Sequence, residues 1–310
     1  MISSSNQKQV RVLAVIVLYK MLPDKSDTYR TLRSTISNLG ENQGDIKILL
    51  YDNTPGGQNV GVLPSDIYYK ADRDNCGLAV AYNFALETAQ KEKYDWLLTL
   101  DQDTALPGDF ARKLCDTASS VAFLNNVAAI VPCVHSDGLV ISPSRQMKFF
   151  PKTRKFRQNF VGVSSVKTFA VNSASTIRVS ALETVGRYDP RFPLDQSDNV
   201  LFHRLHLKQF NIFIAGNIHV EHQLSTFDLK RRSTPERYEA VLHAEEAYHD
   251  VYLGRIEGIA LLLRIVHLLV YRLSKTGGDF AHFRIGLKFF CRRLFLSRKG
   301  RIDEWEQSVK

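Results

Sequence analysis

Tyr94-Asp95-Trp96-Leu97-Leu98-Thr99-Leu100-Asp101-Gln102-Asp103-Thr104 is the stretch on which the fold turns. Residues 96–100 are an almost unbroken apolar run, as expected of a strand buried on both faces of a parallel sheet. The run stops at two carboxylates one residue apart. In open α/β sheets, ligands bind outside the carboxyl ends of the strands. Two carboxylates placed there can converge on one hard divalent cation, which would in turn bridge phosphate oxygens. The competing reading is a surface turn, which produces Asp-x-Asp without any ligand.

Working outward, residues 12–19 and 46–51 are further apolar runs, and 67–70 reads as a short strand. Residues 27–39, 75–89 and 107–118 have helical spacing between them, the last with Pro107 near its first turn. Strand and helix patterns in alternation predict a doubly wound α/β layer with a mostly parallel sheet. Asp52 also falls at a strand end. It could accept hydrogen bonds from a base or ribose, start the turn Asn53-Thr54-Pro55-Gly56-Gly57, or do both. Asn75-Cys76-Gly77 opens a helix whose free N–H groups would favour an anion. It is not G-x-G-x-x-G, and an ordinary glycine turn explains it equally.

The middle of the chain is less regular. Residues 127–132, 166–173 and 212–215 read as strands, and 180–185 as one or two helical turns closing at Gly186. Arg145, Lys148, Lys152, Arg154, Lys155 and Arg157 form a basic stretch, better read as a solvated loop or edge hairpin than as a substrate clamp. In Asp195-Gln196-Ser197-Asp198 a carboxylate could act as base toward a hydroxyl. A polar loop would have the same spacing. His219-Val220-Glu221-His222 offers an imidazole that could complete a site begun by carboxylates.

From Glu236 the pattern is helical, and a boundary falls near residue 230. Residues 259–271 are strongly apolar, interrupted by Arg264 and His267. Gly277-Gly278 then precedes residues 280–301, where seven Lys or Arg alternate with aromatic and aliphatic residues and no acid occurs. Such a segment suits an anionic membrane surface. It suits equally a helical pair packed on the main domain or forming an oligomer.

The chain has 310 residues, 44% of them hydrophobic, enough for a large core. Its formal charge of +9 points to an anionic partner. No recognised nucleic-acid module is present, so nucleic acid is not the expected one. Cys76, Cys115, Cys133 and Cys291 contain no C-x-x-C pair. Zinc and disulfide frameworks are therefore not expected, and four reduced thiols of a cytosolic protein are. The apolar run 12–18 is too short for a secretion signal, and no 18-residue uncharged apolar stretch predicts a membrane span.

Taken in order, VLAVIVLYK, LLYDNTPGG, NCGLAVAYNFAL, YDWLLTLDQDT, VNSASTIRVSALETVGRYDPRFPLDQSDNVLFHR and HVEHQLS resemble the inverting family 2 glycosyltransferases, in particular their bacterial rhamnosyltransferase-like branch. The resemblance spans residues 11–225. It implies a GT-A fold over residues 1–229, with a donor half at about 10–125 and an acceptor half at about 126–229. Residues 230–310 would follow as a helical, basic region. It places Tyr19 at the nucleotide entrance, Asp52 on the base, and Asn75 and Gly77 around the donor pocket. Asp101 and Asp103 match the metal-binding pair, Asp198 the catalytic base, Arg204 a donor contact on the same helix, and His222 the late histidine that reaches metal or diphosphate. His219 is the alternative register. Mg²⁺ or Mn²⁺ is the implied cofactor.

The implied partners are a dTDP- or UDP-linked sugar and a lipid-linked glycan acceptor. The implied location is the cytoplasm, on the inner face of the membrane. The pattern is not complete: Lys20 stands where Asn is usual, Ser197 replaces Glu, Val200 replaces an acid, and Ala174 stands where Gly is frequent. Two other functions remain. A non-catalytic nucleotide-sugar-binding protein would keep the same pocket. A nucleotidyltransferase would need a Gly-rich loop that Tyr19-Lys20-Met21-Leu22-Pro23 lacks.

Overall fold

A computed structural model describes residues 9–40, 43–147, 153–222, 234–275 and 280–309. Lys148, Lys152, Gly277-Gly278, residues 223–225 of the family resemblance and the expected boundary near residue 230 lie outside the described residues.

The first half alternates as the pattern predicts: β1 (Arg11–Leu18), α1 (Asp27–Ser37), β2 (Asp45–Asp52), β3 (Ile67–Ala71), α2 (Leu78–Lys91), β4 (Trp96–Asp101), β5 (Thr104–Ala105) and α3 (Phe110–Ser120). Six strands follow: β6 (Val127–Ser136), β7 (Leu139–Ser142), β8 (Ser144–Gln146), β9 (Thr153–Lys155), β10 (Val161–Ser164) and β11 (Thr168–Phe169). Then come β12 (Ser175–Arg178), α4 (Val179–Val185), α5 (Ser197–Leu207) and β13 (Asn211–His222). Of the basic stretch, Arg145 lies on β8 and Arg154 and Lys155 on β9, which pair antiparallel in a small sheet of order β11-β8-β9, as the edge-hairpin reading expects. Only Thr168–Phe169 of the strand expected at 166–173 is extended and paired.

The main sheet runs β10-β13-β6-β12-β4-β1-β2-β3. β1 alternates its buried side chains between the two faces. Leu13, Val15 and Val17 pack with α2, α4 and α5. Val12, Ala14, Ile16 and Leu18 pack with α1 and α3. Each such aliphatic side chain removed from water contributes on the order of 1.5–3 kcal/mol. A strand apolar on both faces can therefore only be central, as the sequence run implies.

Register sets the functional edge. β1 pairs in parallel with β2 and β4, matching Leu18 with Asp52 and Val17 with Asp101. Two carboxylates thus emerge at one sheet edge, one on each side of β1. β12 runs antiparallel between β4 and β6, so its start, at Ser175 opposite Thr99, lies at the edge where β4 ends. β13 runs parallel to β6 and ends at His222. Between Ala215, paired with Pro132, and His219, paired with Cys133, residues 216–218 are interposed.

The C-terminal region comprises α6 (Pro235–Tyr252), α7 (Arg255–Lys275), α8 (Phe280–Phe295) and α9 (Arg298–Ser308). The stretch 280–301, read as one segment, is two helices. Ser297 accepts the Gly300 N–H at 3.1 Å and caps a new start. Ala244, Ala247 and Tyr248 of α6 pack with Phe192, Val200 and Trp305. Arg237 clamps Asp195 with bonds of 2.5 and 2.6 Å. Asp250, buried, takes both Arg301 Nε at 2.7 Å and Arg301 Nη2 at 2.9 Å. This region is therefore packed on the α5 side of the main domain. One face of α7 stays uncovered: Ile256, Ile259, Leu263, Val266, Val270 and Leu273 are exposed at helical spacing. Among the described residues, no helix is long and apolar enough to cross a membrane.

Candidate active site

Two strand ends and a turn build the centre. β4 delivers Asp101, the turn after it Asp103, and β13 brings His222, which is 6% exposed. His222 Nε2 lies 3.6 Å from Asp101 Oδ2, and its Nδ1 lies 3.5 Å from Asp103 Oδ1. The ring sits between the two carboxylates. Burial first, and also the charge of Asp101, push the Asp103 carboxyl above its ordinary range, while His222 opposes the shift. His219 points elsewhere, toward Asn159 at 2.9 Å and the His135 ring. Of the two histidines, His222 is the one beside the carboxylates.

Several residues outside the sequence reading hold this centre. Ser173, just before β12, donates to Asp101 Oδ2 and sits 3.5 Å from His222 Nε2. Thr104 Oγ1 lies 3.0 Å from His222 Nδ1. The backbone between them is tied to the start of α1. Thr28 Oγ1 donates to the Asp101 carbonyl at 2.5 Å and accepts the Thr104 N–H at 2.8 Å. Ser26 Oγ donates to the Gln102 carbonyl at 2.7 Å. Gln102, the middle residue of the triplet, accepts the Tyr19 N–H at 2.7 Å and so joins β4 to the end of β1. Hydroxyls adjacent in sequence to the carboxylates, and in the Asn-Ser-Ala-Ser run, were the available signal.

Asp198 is in the first turn of α5 and lines the same cavity as Asp101 and His222. That cavity measures about 680 Å³ and extends to Tyr248, Glu257 and Arg264 of the C-terminal helices. Asp198 is half-buried, and burial, followed by the neighbouring charges of Asp101 and Asp195, raises its pKa to about 6, against a bond from the Asn199 N–H. Beside it, the buried rings of Tyr82 and Tyr188 stand 4.9 Å apart. Their phenols are pushed well up, mainly by burial and also by Asp101 and Asp198, so they stay protonated.

The other expected positions divide. Tyr19 is 42% exposed at the end of β1, with its ring near the Lys20 ammonium. Asp52 is fully buried. Its oxygens accept from Thr54 N, Gln58 N, Gln58 Nε2 and Tyr69 OH at 2.9–3.1 Å, so the turn-forming role is the one it fills. Asn75 and Gly77 adopt positive φ, 55° and 93°. The helix amides beyond them are not open to an anion: Leu78 N–H and Ala79 N–H both point to the Pro193 carbonyl, at 2.5 and 3.4 Å. A Cβ on Gly77 would fall 2.6 Å from that oxygen. The close approach expected of a ligand is thus made by the loop before α5. Arg204 is not on the cavity wall; it donates to the Arg187 carbonyl at 3.1 Å and lies over Gly186, at the end of α4.

The residues fit a divalent cation by donor chemistry. Two carboxylates and an imidazole are donors of the kind Mg²⁺ or Mn²⁺ takes, although here the His222 ring lies between the carboxylates, with a different nitrogen toward each.

No known protein-family profile matches the chain, and no curated protein matches it in sequence. Solved structures do. A crystal structure of GalNAc-T7 with UDP, GalNAc and Mn²⁺ superposes with a TM-score of 0.54 at 12% identity, over 90% of this chain and 59% of that one. Residues 1–349 of S. aureus TarS superpose with a TM-score of 0.53 at 10% identity, over 97% of this chain and 90% of that one.

The fold is GT-A. In GT-A terms, β3-β2-β1-β4 form the first half of the sheet and β12-β6-β13 continue it, with Asp101, Ser173 and His222 at the shared edge. The chain spans about three-fifths of the GalNAc-T7 structure.

Proposed function

We propose that the protein is an inverting glycosyltransferase using a nucleoside diphosphate sugar. The observation that carries this reading is that Asp101 and His222, with Asp103 against the far side of the His222 ring, line one cavity together with the raised-pKa carboxyl of Asp198. Asp101, Asp103 and His222 would hold Mg²⁺ or Mn²⁺. A cation there supplies Lewis-acid stabilisation of a departing diphosphate. Ser173 fixes the Asp101 carboxylate, and Thr104 fixes the His222 ring. Asp198 takes the proton of an acceptor hydroxyl as it attacks the sugar carbon, and the C1–diphosphate bond breaks on the opposite side. A carboxyl with pKa near 6 is ionised at neutral pH yet more basic than an ordinary aspartate.

The donor we infer is dTDP-rhamnose, on the sequence resemblance; a UDP-hexose is the alternative, favoured by the UDP and GalNAc in the GalNAc-T7 structure. The acceptor we infer is a growing bacterial surface glycan on a lipid carrier. The uncovered apolar face of α7 beside the basic α8 supports peripheral contact with an anionic membrane.

Thermal denaturation against a panel of nucleotide sugars, with Mg²⁺ or Mn²⁺ and with chelator, tests the reading. A donor-selective rise in Tm that chelator removes is expected. No rise with any donor would remove it. A scaffold protein would show the rise but no transfer.

A further inference from the structure

We propose that Cys133, His135 and His219 form a second cation site, suited to Zn²⁺ and separate from the carboxylate centre. Cys133 and His135 alternate on β6 and so share one face. His219 of β13 pairs with Cys133, and Glu221 pairs with His135. One ligand atom from each of Cys133, His135 and His219 lies within 4.8 Å of the others. The Cys133 Sγ to His135 Nε2 distance is 3.8 Å. Tetrahedral zinc with its usual Zn–S and Zn–N bond lengths would set that separation at about 3.6 Å. The two strands therefore already hold these donors close to the required spacing.

A second observation points the same way. Both ring nitrogens of His135 are poorly satisfied. Its Nδ1 is buried without a hydrogen-bond partner, and its Nε2 has only the long contact to sulfur and one of 3.5 Å to the Gln158 amide nitrogen. Nε2 is the nitrogen that faces sulfur, and a metal bond there would replace its two long contacts with a short one. His219 Nε2 is taken up by Asn159 Oδ1 at 2.9 Å, which leaves the other ring nitrogen to offer a lone pair. Burial, and then Glu221, raise the Cys133 thiol, so the cation must displace its proton. Lys155, whose charge acts on Cys133, is engaged on the Ile141 carbonyl. Glu221 or a water would supply the fourth position. The donor set is thiolate and imidazole, softer than the oxygen-rich set at Asp101 and Asp103, so the two centres select different metals.

The site would staple β13 to β6 just after residues 216–218 and three positions before His222. It would fix the strand that carries His222 without touching substrate. Alternation puts His219 and Glu221 on the face opposite Val220 and His222.

Titrating the metal-free protein with Co²⁺ and reading absorbance tests this. One equivalent should give a thiolate-to-cobalt charge-transfer band with intense tetrahedral ligand-field bands, bleached by Zn²⁺. Cys133→Ser and His219→Ala should lose the band; Asp103→Asn should keep it. His219 is exposed, so His219→Ala decides even if Cys133→Ser does not fold. Absence of the band in the wild type, its survival in His219→Ala, or its loss in Asp103→Asn would overturn the proposal.

Discussion

His222 Nε2 stands 3.6 Å from Asp101 Oδ2, although the two side chains come from strands separated in the sheet by β12 and β6. The imidazole is oriented by Thr104 and the carboxylate by Ser173, so each member of the pair has its own support. Outer partners of this kind typically contribute a factor of about 10–100 in metal affinity. Ser173→Ala is therefore expected to weaken Mn²⁺ binding roughly tenfold with the fold intact, and His222→Ala to weaken it more. Calorimetric titration of Mn²⁺ checks both.

Asp198 governs a pH dependence with a definite sign. Its folded pKa of about 6 exceeds its unfolded value, so the folded state binds the proton more tightly. Transfer should fall as pH drops through about 6, because the base becomes protonated. Stability moves oppositely: the wild type loses it as pH rises from about 4 to 6, by roughly 1–3 kcal/mol. Asp198→Asn should abolish transfer and raise Tm by a few degrees at pH 8. The gain should vanish below pH 4. Denaturation scans at the two pH values measure it.

Gly77→Ala places a methyl group 2.6 Å from the Pro193 oxygen at a φ of 93°. A destabilisation of about 1–3 kcal/mol is expected, with looser coupling between α2 and the loop before Asp198. Urea unfolding gives the magnitude, and kcat separates this from a pure stability effect.

Asp250→Ala leaves the Arg301 and Arg293 guanidinium groups beside a buried vacancy. Removing one partner of a buried pair costs about 3–5 kcal/mol. Limited proteolysis should then cut near α9 faster than in the wild type.

Leu263→Glu and Val270→Glu put charge on the uncovered face of α7 without disturbing the core. Sedimentation with anionic vesicles should show salt-sensitive binding by the wild type and loss of it in the double variant. A protein that stays in the supernatant at low salt would set the membrane contact aside. A monomer–dimer change in the variant would assign the face to self-association instead.

Much of the donor half was legible in the sequence, because strands buried on both faces leave long apolar runs. β1, β2 and β4 read this way, and Asp101 followed from where β4 stops. Other features depend on partners that no local pattern carries. The interposed residues 216–218 reset the alternation of β13, which is why His219 and His222 could not be separated by spacing. Gly77 signals close approach but not by what; the answer, Pro193, is distant in the chain. Asp52 reads as a ligand or a turn former, and only the Gln58 and Tyr69 contacts decide which bonds it makes. The thiol of Cys133 finds its imidazoles partly across a strand pairing, where no C-x-x-C search would look.

Calorimetric titration of UDP and dTDP into the Mn²⁺-loaded protein addresses the central claim, that Asp101, Asp103 and His222 hold the donor diphosphate through a cation. The account predicts saturable binding by one nucleotide that chelator abolishes and that Asp103→Asn weakens by at least tenfold. Binding that is equally tight in chelator, or unchanged in Asp103→Asn, would contradict it.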